Sequence, residues 1–423
     1  MAEYLTDKRV ILSNPGTSRN DLYYTNLNTT VEQVEATYNL GRFKQSLSNV
    51  QFGGQALVVV PNSSFLGKMY LHLTLPATVA NQTICRGWGY GCIDSVSYLF
   101  GSSNVPQIQI DGQSVLQTVM TQCETEEKRS ELFNLGGEVI LTSGRIPEAN
   151  ILIPLPWSTA CGMGPNNKKP FDTNLLDAPI TISIKFRNSD AIYGGIGARP
   201  VTFTAAQAIF RQGNLSNKAL SLKNSLAAQP DMMLAYPFIH HQSARPPRFS
   251  ASLPTEEVSV VLQSFINADL LAITVGVVDV YDLQSTSNNS PSPNNYQELS
   301  DVQLLFNGEQ MFDAPGAIYK LATCQSIPGA GYFKNDVIRP GTTGTFASDG
   351  VDTYILIVDF SRIRSICYEG EYQNVRRMGN QVLELRFKLP NNGSAATNYQ
   401  MFATYHYSGV ATIQNGMSNI YFD

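Results

Sequence analysis

Gln107-Ile108-Gln109-Ile110-Asp111-Gly112-Gln113 alternates polar and apolar residues and then runs into an Asp-Gly pair. Alternation puts Ile108 and Ile110 on one face of an extended chain, and Asp-Gly suits a tight turn whose central residues need positive φ. The stretch therefore predicts a strand entering a hairpin. Its pattern returns in Gln303-Leu304-Leu305-Phe306-Asn307-Gly308-Glu309, about half of the 423-residue chain further on. A motif repeated at that distance predicts one structural unit used twice.

Working outward from the first copy, Gln55–Val60 is a short apolar run closed by Pro61-Asn62-Ser63. Lys68 to Leu75 then alternates until Pro76 stops it, with Met69, Leu71, Leu73 and Leu75 on one face and His72 and Thr74 on the other. A glycine-rich loop (Gly87-Trp88-Gly89-Tyr90-Gly91) leads into a strand expected over 93–100. Further strands are predicted at 151–155, 180–186 and 201–210, and one helix over 124–135, acidic at its start and apolar toward its end. Residues 214–230 read as a short connecting helix ended by Pro230. Strands resume at 257–263, 271–280, 302–306, 353–360, 382–389 and 401–412. The predicted organisation is an N-terminal arm over 1–45, a first sandwich over 46–213, a linker over 214–230 and a second sandwich over 231–423. The fold class is all-β: two tandem eight-stranded jelly-roll β-sandwiches with a few short helices.

Composition agrees. The length is too great for one ordinary core and suits two domains of roughly 200 residues. Apolar residues make up 43%, enough for both cores, while charged residues reach only 15%. Asn, Ser, Thr, Gly and Pro fill the difference, which favours turns and strands over helices with charged outer faces. The net charge of −5 is spread thinly, with no basic run at either end. Packaging nucleic acid directly needs a basic arm or stripe to neutralise phosphates, so no direct nucleic-acid partner is expected. Met1 to Arg9 lacks the apolar core of a secretory leader, and no stretch is apolar enough to span a bilayer as a helix.

No pattern for catalysis or cofactor binding emerges. The six cysteines form no CxxC pair, and the four histidines form no HExxH. His240-His241 are adjacent, so on a strand they point to opposite faces and cannot share a metal. Gly194-Gly195-Ile196-Gly197-Ala198-Arg199-Pro200 resembles a dinucleotide loop only briefly, since Pro200 stands before a strand where a helix is required. Trp88 and Trp157 are candidate sugar-stacking platforms, but Trp157 follows Ile153-Pro154-Leu155-Pro156 and reads as packing at a core edge. The expectation is no enzyme, with no catalytic, cofactor-binding or metal-ligating residues and no cofactor. Two polar stretches, Gln284–Glu298 and Arg339–Asp349, read as long exposed loops.

Several motifs in this order resemble the double jelly-roll major capsid proteins of large eukaryotic DNA viruses, virophages and polinton-like viruses. Phe65 to Ala77, closing on Leu75-Pro76-Ala77, is similar to the family's first strand pair, and Ile110-Asp111-Gly112-Gln113 to its "I-x-G-G-Q" segment. Ile153-Pro154-Leu155-Pro156-Trp157 is similar to its "PLPFWF" motif, with Trp157 standing alone where the family has three aromatics. Leu304 to Glu309 is similar to "LxLNGQ", and Tyr405 to Asn419 to the closing strand. The resemblance spans 45–423. It implies a homotrimer forming a pseudo-hexagonal capsomer that tiles an icosahedral shell, located in the virion. The implied partners are copies of itself, neighbouring capsomers and minor capsid and penton proteins, with an internal membrane as a further candidate. Gln284–Glu298 and Asp313–Asp349 would then be outer turrets, and the arm would contact material beneath or between capsomers. The other reading the composition allows is a carbohydrate-binding or glycan-processing tandem β-sandwich, which would need an exposed aromatic strip or a carboxylate pair.

Overall fold

The computed structural model describes residues 10–12, 39–48, 50–63, 65–77, 82–84, 88–121, 149–155, 173–195, 198–214, 233–262, 270–277, 297, 299–314, 333–334, 354–359, 382–389, 396–414 and 417–422. The expected helix over 124–135, most of the expected connecting helix over 214–230, Trp157 and nearly all of the two polar stretches lie outside these residues.

Among the described residues, sixteen strands build two sandwiches. The first eight are β1 (Asn39–Ser46), β2 (Gln55–Val60), β3 (Phe65–Leu75), β4 (Ile93–Leu99), β5 (Ile108–Asp111), β6 (Ala149–Leu155), β7 (Ile180–Phe186) and β8 (Ala205–Asn214). The second eight are β9 (Met233–Ala244), β10 (Val258–Leu262), β11 (Leu270–Val277), β12 (Ser300–Phe306), β13 (Glu309–Ala314), β14 (Tyr354–Asp359), β15 (Leu383–Lys388) and β16 (Thr397–Gln414). The first set pairs as β1-β8-β3-β6 and β2-β7-β4-β5, and the second as β9-β16-β11-β14 and β10-β15-β12-β13. Adding eight to each label of the first sandwich gives the second. The two halves are one jelly-roll topology used twice.

Alternation explains the cores. β2 and β7 bury every second residue, placing Val58, Val60, Ile180, Ile182 and Ile184 against Met69, Leu71 and Leu73 of β3. β10 and β15 do the same in the second sandwich with Val258, Val260, Leu383, Leu385 and Phe387. Shorter strands extend the framework: Gln82–Ile84 pairs with Tyr193–Gly195, Phe249–Ala251 and Met417–Phe422 flank β16, and Phe333–Lys334 joins β14.

Several expectations need correction. β1 begins at Asn39, inside the segment read as an arm, and Val10–Leu12 pairs in parallel with Met233–Ala235. β1 was illegible because Leu40 and Phe43 are three apart, so it shows no alternation. The glycine-rich stretch read as a loop forms, from Trp88 to Cys92, a short helix, α1. The two copies of the opening motif are not equivalent. Asn307-Gly308 does turn a hairpin between β12 and β13, with φ of 51° and 83°. Asp111-Gly112 instead ends β5 and starts a helix, α2 (Gly112–Thr121). Gly112 is required there by proximity, since a Cβ at this position would lie 1.8 Å from the Ile93 carbonyl oxygen. The hairpin between β4 and β5 is the longer segment around Gly101, whose φ is 63°.

Candidate functional site

Among the described residues, the most developed arrangement of polar side chains lies at the seam between the sandwiches. In a sandwich with one open face, a strand buries alternate residues. β11 is instead buried continuously from Leu271 to Gly276, and β16 from Met401 to His406. Leu271, Ile273, Val275, Met401, Ala403 and Tyr405 face the second core. Ala272, Thr274, Phe402 and Thr404 point the other way, and something must cover them. That cover is α2 of the first sandwich, and Ala272 and Phe402 pack into the first sandwich's hydrophobic core.

α2 carries Val115 and Leu116 into its own core and turns Gln117, fully buried, onto the neighbouring sheet. The Gln117 amide donates to Thr274 Oγ1 at 2.7 Å and to the Phe402 carbonyl at 3.2 Å. Its own carbonyl oxygen accepts from the Thr404 hydroxyl. One amide thus satisfies groups on two strands of the other sandwich, which fixes the register and angle of α2 on that sheet. Such a network specifies one geometry because any slip strands polar groups in a dry environment.

At the margin of the seam, the Asp111 backbone N–H donates to Ser243 Oγ at 3.1 Å, and Ser243 donates to Ser114 Oγ at 2.8 Å. The Arg245 guanidinium pairs with the Asp111 carboxylate at 2.8 Å and lies over the Phe402 ring, 5.5 Å from its centre. Half of the Arg245 side chain is exposed, so this pair orients more than it stabilises. His406 follows Thr404 on the same face of β16. Burial pushes its pKa down to about 4, so it is neutral at physiological pH. Burial also raises the Tyr405 and Tyr399 hydroxyls above their usual range.

The residues weighed from sequence for chemistry are not assembled. His240 and His241 sit side by side on β9, opposite Tyr407 and His406 of β16 in register. Trp88 opens α1, and Gly194 and Gly195 pair as a strand with Thr83 and Gln82. Arg199, from the same glycine-rich stretch, pairs with Asp190 at 2.6 Å. Among the described residues no three His, Cys, Asp or Glu side chains cluster as a metal site, and no helix is long and apolar enough to cross a membrane. The seam residues Gln117, Thr274, Phe402 and Thr404 were not singled out by sequence reading. Leu270-Leu271-Ala272-Ile273-Thr274-Val275-Gly276-Val277 did carry the signal, because an apolar run without alternation marks a strand covered on both faces.

The same two-sandwich architecture is found in solved virus structures. The PBCV-1 capsid matches with a TM-score of 0.60 over 92% of this chain and 98% of that one, at 11% identity. The Sputnik virophage structure gives 0.58 over 91% and 88%, at 10% identity. The Faustovirus major capsid protein gives 0.53 over 95% of both chains, at 9% identity. The fold is that of the double jelly-roll capsid proteins. Matching nearly end to end at such low identity, the double jelly roll here is carried by pattern and topology. No protein-family model matches this sequence, and no curated protein matches it.

Proposed function

We propose that this double jelly-roll chain is the major coat protein of a virus and resides in the virion capsid. Three copies would form a pseudo-hexagonal capsomer, and capsomers would tile an icosahedral shell. The observation that carries the reading is the seam. Two sandwiches of identical strand order are held at one angle by the buried Gln117 network, making a rigid, nearly repeated block. Two like units per chain allow a three-fold assembly to present a near six-fold outline, which suits a hexagonal lattice. The likeness to the PBCV-1, Sputnik and Faustovirus structures over almost the whole chain supports the same reading.

In this proposal the chain divides as an arm ahead of β1, a first sandwich from β1 to β8, a linker over 215–230 and a second sandwich over 231–423. Its partners are other copies, neighbouring capsomers, and minor capsid and penton proteins, with an internal membrane as a further candidate. Its role is structural, without catalysis, cofactor or direct contact with nucleic acid. The test is the assembly state of the purified full chain by light scattering and negative-stain imaging. Trimers and hexagonal particles are expected. A monomer at micromolar concentration that binds a glycan array would overturn the proposal in favour of a carbohydrate-binding tandem sandwich.

A further inference from the structure

Asp111-Gly112 and Asn307-Gly308 differ in chemistry as well as in structure. At the first pair the backbone is shut in by the Ile93 carbonyl, and the Asp111 carboxylate is held by Arg245. The second pair is open. Both of its residues are exposed, and nothing lies within 4 Å of the place a Gly308 Cβ would take. Phe306 pairs with Glu309 across the hairpin, so Asn307 and Gly308 are its whole loop. The Asn307 backbone N–H donates to the Val382 carbonyl at 2.9 Å, and the Val382 N–H donates to Asn307 Oδ1 at 2.9 Å. The side-chain carbonyl of Asn307 therefore has a fixed backbone donor on its oxygen. Among the described residues, nothing accepts from the Gly308 N–H and nothing holds the Asn307 side-chain nitrogen.

We propose that Asn307 is a site of spontaneous deamidation, with water as the co-reactant. The Gly308 nitrogen gives up its proton and bonds to Asn307 Cγ. The tetrahedral centre carries its negative charge on Oδ1, where the Val382 N–H already points, and a donor aimed at developing charge lowers the barrier. The side-chain nitrogen leaves with the proton as ammonia, giving a succinimide. Water then opens the ring, and nothing is oxidised or reduced. Breaking the bond from Cγ to nitrogen leaves an aspartyl residue; breaking the bond from the main-chain carbonyl carbon to nitrogen leaves an isoaspartyl one. Glycine suits the step because its nitrogen has no Cβ beside it to shield it. The two products diverge. The aspartyl product keeps an acceptor for the Val382 N–H and adds a charge. The isoaspartyl product carries an extra methylene in the main chain of a two-residue loop, so the pairing of Phe306 with Glu309 is lost and β13, at the edge of its sheet, loosens. In the coat-protein reading, on which this site does not depend, every copy in a particle would carry the same slow clock.

The test is peptide mapping of the full chain after incubation at mildly alkaline pH, folded and, in parallel, unfolded in urea. Mass spectrometry reads the amide-to-acid change at Asn307, and labelling by an isoaspartyl methyltransferase reads the rearranged product. The folded wild type is expected to convert at Asn307. Val382→Pro removes the donor just ahead of β15, a position where proline is tolerated. It is expected to slow conversion at least ~10-fold in the folded chain. In urea it leaves the rate unchanged, since residues 307 and 382 meet only in the fold. Gly308→Ala is expected to slow conversion in both states. An Asn307 that converts in urea but not in the folded chain overturns the proposal, because the hairpin then protects the amide. So does a folded Val382→Pro chain that converts as fast as wild type or faster, because the bond then locks the side chain instead of activating it. If circular dichroism shows that Val382→Pro does not fold, the comparison of folded and urea-unfolded wild type decides.

Discussion

Gln117 offers the sharpest test of whether the seam is a specific polar lock. Gln117→Met keeps most of the volume and removes all three hydrogen bonds, to Thr274, Thr404 and the Phe402 carbonyl. At roughly 1 kcal/mol net for each bond, the expected loss is about 3 kcal/mol. Removing both threonine hydroxyls as well, in Gln117→Met with Thr274→Val and Thr404→Val, leaves the loss of the Gln117 bond to the Phe402 carbonyl as the remaining cost. The triple variant is therefore expected to lie about 1 kcal/mol below wild type, more stable than the single variant. Urea unfolding at fixed protein concentration measures this, with two probes. Both tryptophans, Trp88 and Trp157, belong to the first half, so fluorescence follows that sandwich while circular dichroism follows both. In the wild type the curves are expected to coincide, and in Gln117→Met to separate, because the sandwiches lose their coupling. A single variant costing under about 1 kcal/mol, or a triple variant no better than the single, would refute the lock.

The buried His406 predicts acid sensitivity. Its pKa is 6.5 when unfolded and about 4 when folded, so between these values protons bind the unfolded chain alone. Stability from this group is complete above pH 6.5 and falls by about 3 kcal/mol as the pH drops to 4; His406→Gln should flatten that part of a melting-temperature profile, and an unchanged slope counts against it. Gly112→Ala meets a backbone carbonyl and is expected to cost at least about 3 kcal/mol, whereas Gly308→Ala meets only the strain of positive φ, about 1 kcal/mol, in open space. Equal effects of the two on soluble yield and melting temperature would contradict the different roles assigned to these glycines. Arg245→Ala is expected to change stability by less than about 1 kcal/mol, because the pair with Asp111 is half in water; a larger loss in thermal melts would mean that the margin of the seam, and not Gln117, holds it.

The fold was legible where one physical signal dominated. β2 and β7 fall at the expected residues because strict alternation ended by Pro or a turn leaves one register that buries the apolar set. Asn307-Gly308 was read correctly for the expected reason. Asp111-Gly112 was not: a glycine needed for positive φ and a glycine needed for close packing look the same in sequence. The repeat was therefore inferred from two motifs on non-equivalent strands, the fifth of one sandwich and the fourth of the other, while the true equivalence lies in the pairing order. The seam escaped because its partners are distant in sequence. Gln117 meets Thr274 and Thr404 across more than a hundred residues, and no local pattern specifies such a contact.

The seam also bears on how copies can associate. It joins unlike surfaces, a strand end and helix on one side and a sheet face on the other, so it is directional, in contrast to the self-complementary patch of a two-fold dimer. A directional contact repeated between like units either closes into a ring or runs on as a filament, according to the rotation it imposes. Here the rotation from the first sandwich to the second is fixed inside the chain by Gln117. In the three-copy capsomer proposed above, contacts between chains must match that angle for the ring to close. Three chains close the ring when each seam turns the next sandwich by about one sixth of a circle. Substitutions that loosen Gln117 should therefore blur the size of the assembly before they abolish association, giving mixed oligomers in light scattering where the wild type gives one species.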